Sequence, residues 1–216
     1  MELSDYGRIL KQRGWIIILV AVLTAAAAFG FSKLQTPVYE STLRILVQPA
    51  RTDFGQAQAA KQLLRGYVQW INSSYRAAKV IDELKLDLTP DQLLSDFKVA
   101  SDESSFVIQL NVENTNPDLA NDVARTWGNT FIQWRVDDNA TQRKEDRVDA
   151  EFIDDPRAGL DRPKTMINTV AAGIFGALIG IIIVLALEWI ESGVFQRSED
   201  IERYLEIPVI GSIPGQ

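Results

Sequence analysis

The sequence holds no cysteine and no histidine. That absence excludes the usual Cys- and His-built zinc sites, a Cys or His nucleophile and every His-based triad. It also leaves no cysteine pattern from which to assign a redox compartment. A Walker A loop, a dinucleotide-binding glycine motif and a G-x-S-x-G elbow are lacking as well. The net charge of −7, with no basic stripe, argues against nucleic acid as a partner. Charge itself is missing from two long stretches. Residues 14–32, "GWIIILVAVLTAAAAFGFS", and residues 165–187, "TMINTVAAGIFGALIGIIIVLAL", contain no Asp, Glu, Lys or Arg.

A helix of about 20 apolar residues covers the hydrocarbon core of a bilayer, and both stretches reach that length. Neither shows the polar face of a helix on a soluble domain. Two transmembrane helices are therefore expected, with the lipid bilayer as an immediate partner. The basic flank Arg8, Lys11 and Arg13 and the Ala-rich end of the first stretch also fit a signal peptide. Its apolar run exceeds the roughly 7–15 residues of a signal core, however, and no A-x-A cleavage site follows, so retention is expected. The chain then divides into an N-terminal segment (1–13), a first span (14–32), a middle domain (33–164), a second span (165–187) and a tail (188–216). Positive charge before the first span places both termini in the cytoplasm. Arg157, Arg162 and Lys164 before the second span pull the other way, but the first span usually dominates.

The middle domain reads as a small α+β unit. "TPVYESTLRILVQPA", rich in Val, Thr, Ile and Tyr and bounded by Pro37 and Pro49, predicts a strand. Ala60, Leu63, Leu64, Tyr67, Val68 and Ile71 share one helical face, and a second helix follows from a Ser73 or Ser74 cap. Thr89 with Pro90 and Asp91 marks a helix start. Phe106, Ile108, Leu110 and Val112 alternate with Gln109, Asn111 and Glu113, the pattern of a half-buried strand. Asn116 and Pro117 open a longer helix with the stripe Leu119, Ala120, Val123, Trp127, Phe131 and Trp134, and "RVDAEFID" predicts a last strand. With 17 Lys/Arg against 21 Asp/Glu, residues 33–164 carry the near-balanced charge of a solvated surface.

Candidate chemistry is sparse. The adjacent carboxylates Asp82-Glu83, Asp102-Glu103, Asp137-Asp138 and Asp154-Asp155 point apart on helix or strand. They do not supply the facing pair that glycoside hydrolysis needs. No Asp-rich loop has calcium spacing. No catalytic residue, cofactor or metal site is assigned. Trp127 and Trp134 read as core stripe, whereas Trp70 at the edge of its helix face is open to stacking on a sugar. In the second span Ala172, Gly176 and Gly180 form a small-xxx-small row with Gly173 beside it, which lets helix backbones approach within or between chains. The tail closes on two proline-punctuated apolar segments, Ile207-Pro208-Val209-Ile210-Gly211 and Ile213-Pro214, extended by their prolines and suited to a partner's groove or sheet edge.

Five stretches together resemble one family. They are "ELSDYGRILKQRGWIIILV", "KLQTPVYESTLRILV", "NPDLANDVARTWGNTF", "DDPRAGLDRPKTMINTVAAGIFGALIG" and "RSEDIERYLEIPVIGSIP". In this order the chain is similar to the Wzz-type chain-length determinants, the polysaccharide co-polymerases of bacterial surface polysaccharide synthesis. The fourth stretch carries the family's proline-marked approach to the second span, here Pro156, Pro163 and Asn168, although the proline run is thinner than usual. The long helical hairpin of many members is missing. The resemblance implies a non-enzymatic regulator of exopolysaccharide, capsule or O-antigen length in the bacterial cytoplasmic (inner) membrane. It also implies a homo-oligomer working with a polysaccharide polymerase and a separate cytoplasmic tyrosine kinase activated by the tail. A two-span receptor or scaffold with a ligand-binding outer domain is the other reading, and a tail of about 30 residues is short for its output domain.

Overall fold

The structure, a computed structural model, describes residues 3–50 and 54–192. In chain order its elements are α1 (Leu3–Leu34), β1 (Val38–Pro49), α2 (Phe54–Ile71), α3 (Ser74–Leu84), α4 (Pro90–Ser95), β2 (Phe97–Asp102), β3 (Val107–Asn114), α5 (Pro117–Thr141), β4 (Val148–Phe152), β5 (Arg157–Arg162) and α6 (Thr165–Ser192). The chain divides into two units. One comprises residues 1–34 and 164–216, and the other runs from Gln35 to Pro163.

The second unit is a five-stranded antiparallel sheet with helices on one face. Strands are ordered β2-β3-β1-β4, and β5 pairs with β1 as well. β1 sets Leu43 opposite Leu110 and Ile45 opposite Ile108. The alternation in these two strands sends Leu43, Ile45, Val47, Ile108, Leu110 and Val112 to the helix-covered face. There they meet Leu64, Tyr67 and Ile71 of α2, Val80 of α3 and Val123, Trp127 and Phe131 of α5 in one cluster. Trp127 lies flat on Phe97, ring centroids 3.8 Å apart, and its indole N–H donates to the Ile71 carbonyl at 3.1 Å. Its polar atom is thus satisfied inside the core, as burial requires. Gly128 lets α5 approach the sheet: a Cβ there would lie 2.5 Å from Leu43 Cδ2 and 2.7 Å from Phe152 Cε1.

Helix starts follow local chemistry. Thr89 and Gln92 exchange the two bonds of a capping box, and the Asn116 side chain accepts from the Asp118 and Leu119 amides. Ser73 stands at the α3 N-cap position, yet its hydroxyl donates to the Trp70 carbonyl at 2.9 Å, tying α3 back to α2.

Two strands were not expected from the sequence. β2 (FKVASD) and β5 (RAGLDR) are short and polar, with little apolar alternation to mark them. They are strands because neighbours supply their hydrogen bonds. β1 is 12 residues long and pairs with β4 through Ile45–Pro49 and with β5 through Val38–Thr42, two short partners along one edge. Phe106 differs from expectation too: at φ 57° it stands in the β2–β3 turn rather than in the strand.

The other unit holds α1 and α6. The N-terminal lead-in and the first apolar stretch form one continuous helix. Lys11–Leu34 and Thr165–Ile190 are long and apolar enough to cross a membrane.

Candidate functional site

The helix pair is built from what its sequence leaves out of side-chain volume. Along α6, Gly173, Gly176 and Gly180 face α1. A Cβ at Gly176 would stand 1.9 Å from Thr24 Oγ1 and 3.0 Å from Ala21 Cα, and one at Gly180 would stand 2.8 Å from Ile17 Cα. Those distances are below any van der Waals contact, so only glycine permits this approach at Gly176 and Gly180. Gly173 sits more loosely, its added Cβ 3.6 Å from Ala25 Cβ, and Ala172 beside it is half-buried. Two polar contacts bracket the stripe. Ser32 Oγ donates to Thr165 Oγ1 at 2.9 Å near one end, and Arg13 lies 3.9 Å from Glu188 near the other.

Of the proline-marked residues, Pro156 is buried between β4 and β5, and Pro163 follows β5 after a cis peptide bond with Arg162. Asn168 stands in the first turn of α6, its amide donating to the Lys164 carbonyl at 2.9 Å. The tail residues Ile207, Pro208, Val209, Ile210, Gly211, Ile213 and Pro214 lie outside the described residues.

In the α+β unit, three polar arrangements stand out. The first is buried. Arg135 on α5 is 3% exposed and donates to the Val148 carbonyl (3.2 and 3.1 Å), to Asp138 Oδ2 (2.7 Å) and to Asn139 Oδ1 (3.0 Å). Asn139 in turn exchanges hydrogen bonds with the Val148 backbone and donates to Asp149 at 2.9 Å. This network clamps the end of α5 to the start of β4 and satisfies a cation in the core. Arg135 continues the Trp127–Phe131 spacing by four, so a cation on a core stripe was the available signal for it.

The second lies on the sheet's other face. Glu113, 8% exposed, accepts from Lys98 of β2 and Arg162 of β5, while Asn111 donates to Glu40 at 3.1 Å. The carboxylates of Glu40, Glu113 and Asp161 converge within 4.8 Å of one another. Two cations already compensate Glu113, which makes the set an ion-pair network that ties β2, β3 and β5 together. The hydrogen bond to Glu113 raises the Lys98 pKa. At the β2–β3 turn, the far end of that hairpin from Glu113, the Ser104 and Ser105 hydroxyls bind Asp102 at 2.6 Å each and lower its pKa to about 2.

The third is a groove of 570 Å³ between α3 and α5. Arg76 and Lys79 line one wall, and Asn129, Gln133 and Trp134 the other. Behind it the aromatic rings are layered. Trp134 stacks on Trp70 at 4.4 Å, and the Arg76 guanidinium lies 3.7 Å over the Trp70 ring. Phe131 meets Trp70 edge-on at 5.8 Å, and Tyr67 meets Trp134 in the same way at 5.7 Å. Both Trp70 and Trp134 are half-buried, so Trp134 is less a core residue than its stripe position indicated.

Comparison with known proteins agrees with the layout. A family model described as "Wzz: Chain length determinant protein" matches residues 1–84, from the first residue to the end of α3. The capsular polysaccharide biosynthesis protein CpsC of Streptococcus pneumoniae is 28% identical, the match covering 99% of this chain and 94% of that protein. The probable capsular polysaccharide biosynthesis protein YwqC of Bacillus subtilis is 27% identical over 98% and 88% of the two chains. A capsular polysaccharide type 5 biosynthesis protein of Staphylococcus aureus is 24% identical over 99% and 96%. With a chain-length determinant match through α3, near end-to-end likeness to these proteins, and two apolar helices flanking an α+β unit, the chain is similar to the Wzz-type chain length determinants.

Proposed function

We propose that this chain is a non-enzymatic regulator of surface polysaccharide length, anchored in the bacterial cytoplasmic membrane as a homo-oligomer. α1 and α6 cross the bilayer, the α+β unit lies outside, and both termini lie in the cytoplasm. The observation that carries this reading is the near end-to-end likeness to capsular polysaccharide biosynthesis proteins. The close-packed helix pair supports it as a compact anchor, because small residues drive helix association where lipid removes any hydrophobic gain. Copies associate through the α+β unit and bias how far a polysaccharide polymerase extends each chain. The tail segment 207–214 docks on and stimulates a separate cytoplasmic tyrosine kinase, its prolines holding an apolar strand open for a partner's groove.

Deleting the gene tests the first part. Polymer resolved by gel electrophoresis should shift in length distribution, and an unchanged distribution and amount would refute the reading. The kinase step has its own test. In a reconstituted pair, truncation after Gln196 should abolish the kinase's autophosphorylation, and undiminished phosphorylation removes the docking role.

A further inference from the structure

Six cations of the α+β unit (Arg44, Arg65, Lys98, Arg125, Arg135 and Arg162) are held by carboxylates. Arg76 and Lys79 are among those that are not: among the described residues neither has a carboxylate within ion-pair distance. They stand three residues apart on one face of α3, and both line the α3–α5 groove. Arg76 is nevertheless held in place. Its guanidinium lies flat on Trp70, which in turn stacks on Trp134. A guanidinium stacked on an indole keeps its in-plane N–H donors available for an anion. A side chain already ordered also loses less entropy when it binds one.

The facing wall comes from α5. Asn129 and Gln133, one turn apart, present amides, and Trp134 adds an apolar ring surface beside them. Gln133 donates to Asp137 at 3.0 Å. Asp137 and Glu83 also line the groove. Those carboxylates accept hydrogen bonds from hydroxyls well and disfavour a densely anionic ligand such as a polyphosphate. The volume of 570 Å³ lies within the roughly 300–1,000 Å³ of small-molecule sites. Unpaired cations beside an indole, planar amides and hydroxyl acceptors match one chemistry: a sugar ring carrying a carboxylate.

We infer that the α3–α5 groove binds a short segment of acidic glycan. Arg76 and Lys79 take the ring carboxylates, Asn129 and Gln133 the hydroxyls, and Trp134 packs against a pyranose face. The source of such a glycan rests on the polysaccharide role proposed above, whereas the groove's chemistry does not.

The test uses the full chain in lipid nanodiscs with three probes: hexagalacturonate, the neutral maltohexaose, and a hexaglutamate peptide. Titration is followed by calorimetry and by tryptophan fluorescence. Hexagalacturonate should bind saturably and at least about tenfold more tightly than either other probe, because maltohexaose lacks the carboxylates for Arg76 and Lys79, and hexaglutamate lacks the hydroxyls and pyranose face for Asn129, Gln133 and Trp134. Lys79→Gln, an exposed substitution on α3, should weaken binding by about tenfold, and Arg76→Gln with Lys79→Gln further still. Lys144→Gln, on the turn between α5 and β4, should leave binding unchanged. Equal binding of hexaglutamate, full affinity in the double variant, or no binding of hexagalacturonate overturns the inference. If binding fails while gene deletion still shifts polymer length, only the groove assignment falls. If binding behaves as expected while deletion changes nothing, only the regulatory role falls.

Discussion

The two units use apolar residues in opposite ways. In the α+β unit the large side chains Trp127, Phe131, Leu43 and Ile108 are fully buried, and removing their area from water holds the sheet to its helices. In the α1–α6 pair, Ile18, Phe31, Phe175 and Ile182 are each more than 60% exposed, and the contact surface is instead glycine against Thr24, Ala21 and Ile17. Apolar exposure would be neutral in the bilayer placement proposed for this pair, and specificity would then pass from burial to closeness of approach. Polar groups follow the same split. The α+β unit encloses Arg135 in a full set of acceptors, while the pair keeps a hydroxyl bond near one end and an ion pair near the other.

This contrast can be broken from either side. Trp127→Ala should cost about 3–5 kcal/mol in the α+β unit, seen as a large drop in its melting temperature by near-UV circular dichroism. The chain lacks cysteine, so a disulfide between Ser32→Cys and Thr165→Cys reports the helix pair alone. That cross-link should still form in Trp127→Ala, and its loss would join the two units in one cooperative fold. Gly176→Leu should act in reverse, costing about 1–3 kcal/mol in overpacking and sharply reducing the cross-link. Gly30→Leu, where an added Cβ meets nothing within 4 Å, is the matched control and should leave it intact. Arg135→Met leaves the Val148 carbonyl and Asn139 short of donors and should cost about 1–3 kcal/mol, again only in the α+β unit.

Smaller effects sharpen the picture. Thr89→Ala removes one half of the α4 capping box and should lower stability by about 1 kcal/mol, measured by chemical denaturation. The smallest concerns pH. Asp102 has its pKa depressed to about 2 by Ser104 and Ser105, so its turn bonds are fully present above the usual value of 3.8 and are lost as pH falls through about 2. A carboxyl titration by NMR should find Asp102 among the last carboxylates to protonate. In Ser104→Ala with Ser105→Ala its pKa should return toward 3.8.

Much of the fold was legible in local signals. The Thr89 and Asn116 caps, the alternation of Ile108, Leu110 and Val112, and the uncharged stretches each depend on neighbours in sequence, where periodicity and capping operate. β2 and β5 were not legible, because β3 and β1 supply their hydrogen bonds. Glu113 looked solvent-facing by alternation and is buried, because Lys98 and Arg162 reach it from β2 and β5. The groove was half legible: Trp70 stood out at the edge of its helix, but only the packing of α3 against α5 brings Arg76 and Lys79 opposite Asn129 and Gln133.

Composition and pattern alone determined that this chain carries two long apolar helices, a compact α+β unit between them, and no Cys- or His-based chemistry. Each follows from residue type and short-range spacing. Only tertiary structure decided which backbone the glycines of α6 meet, that a cation continues the core stripe of α5, and that two cations with no carboxylate partner among the described residues share a groove with an indole. Those facts depend on contacts between residues far apart in the chain, and no local period encodes them.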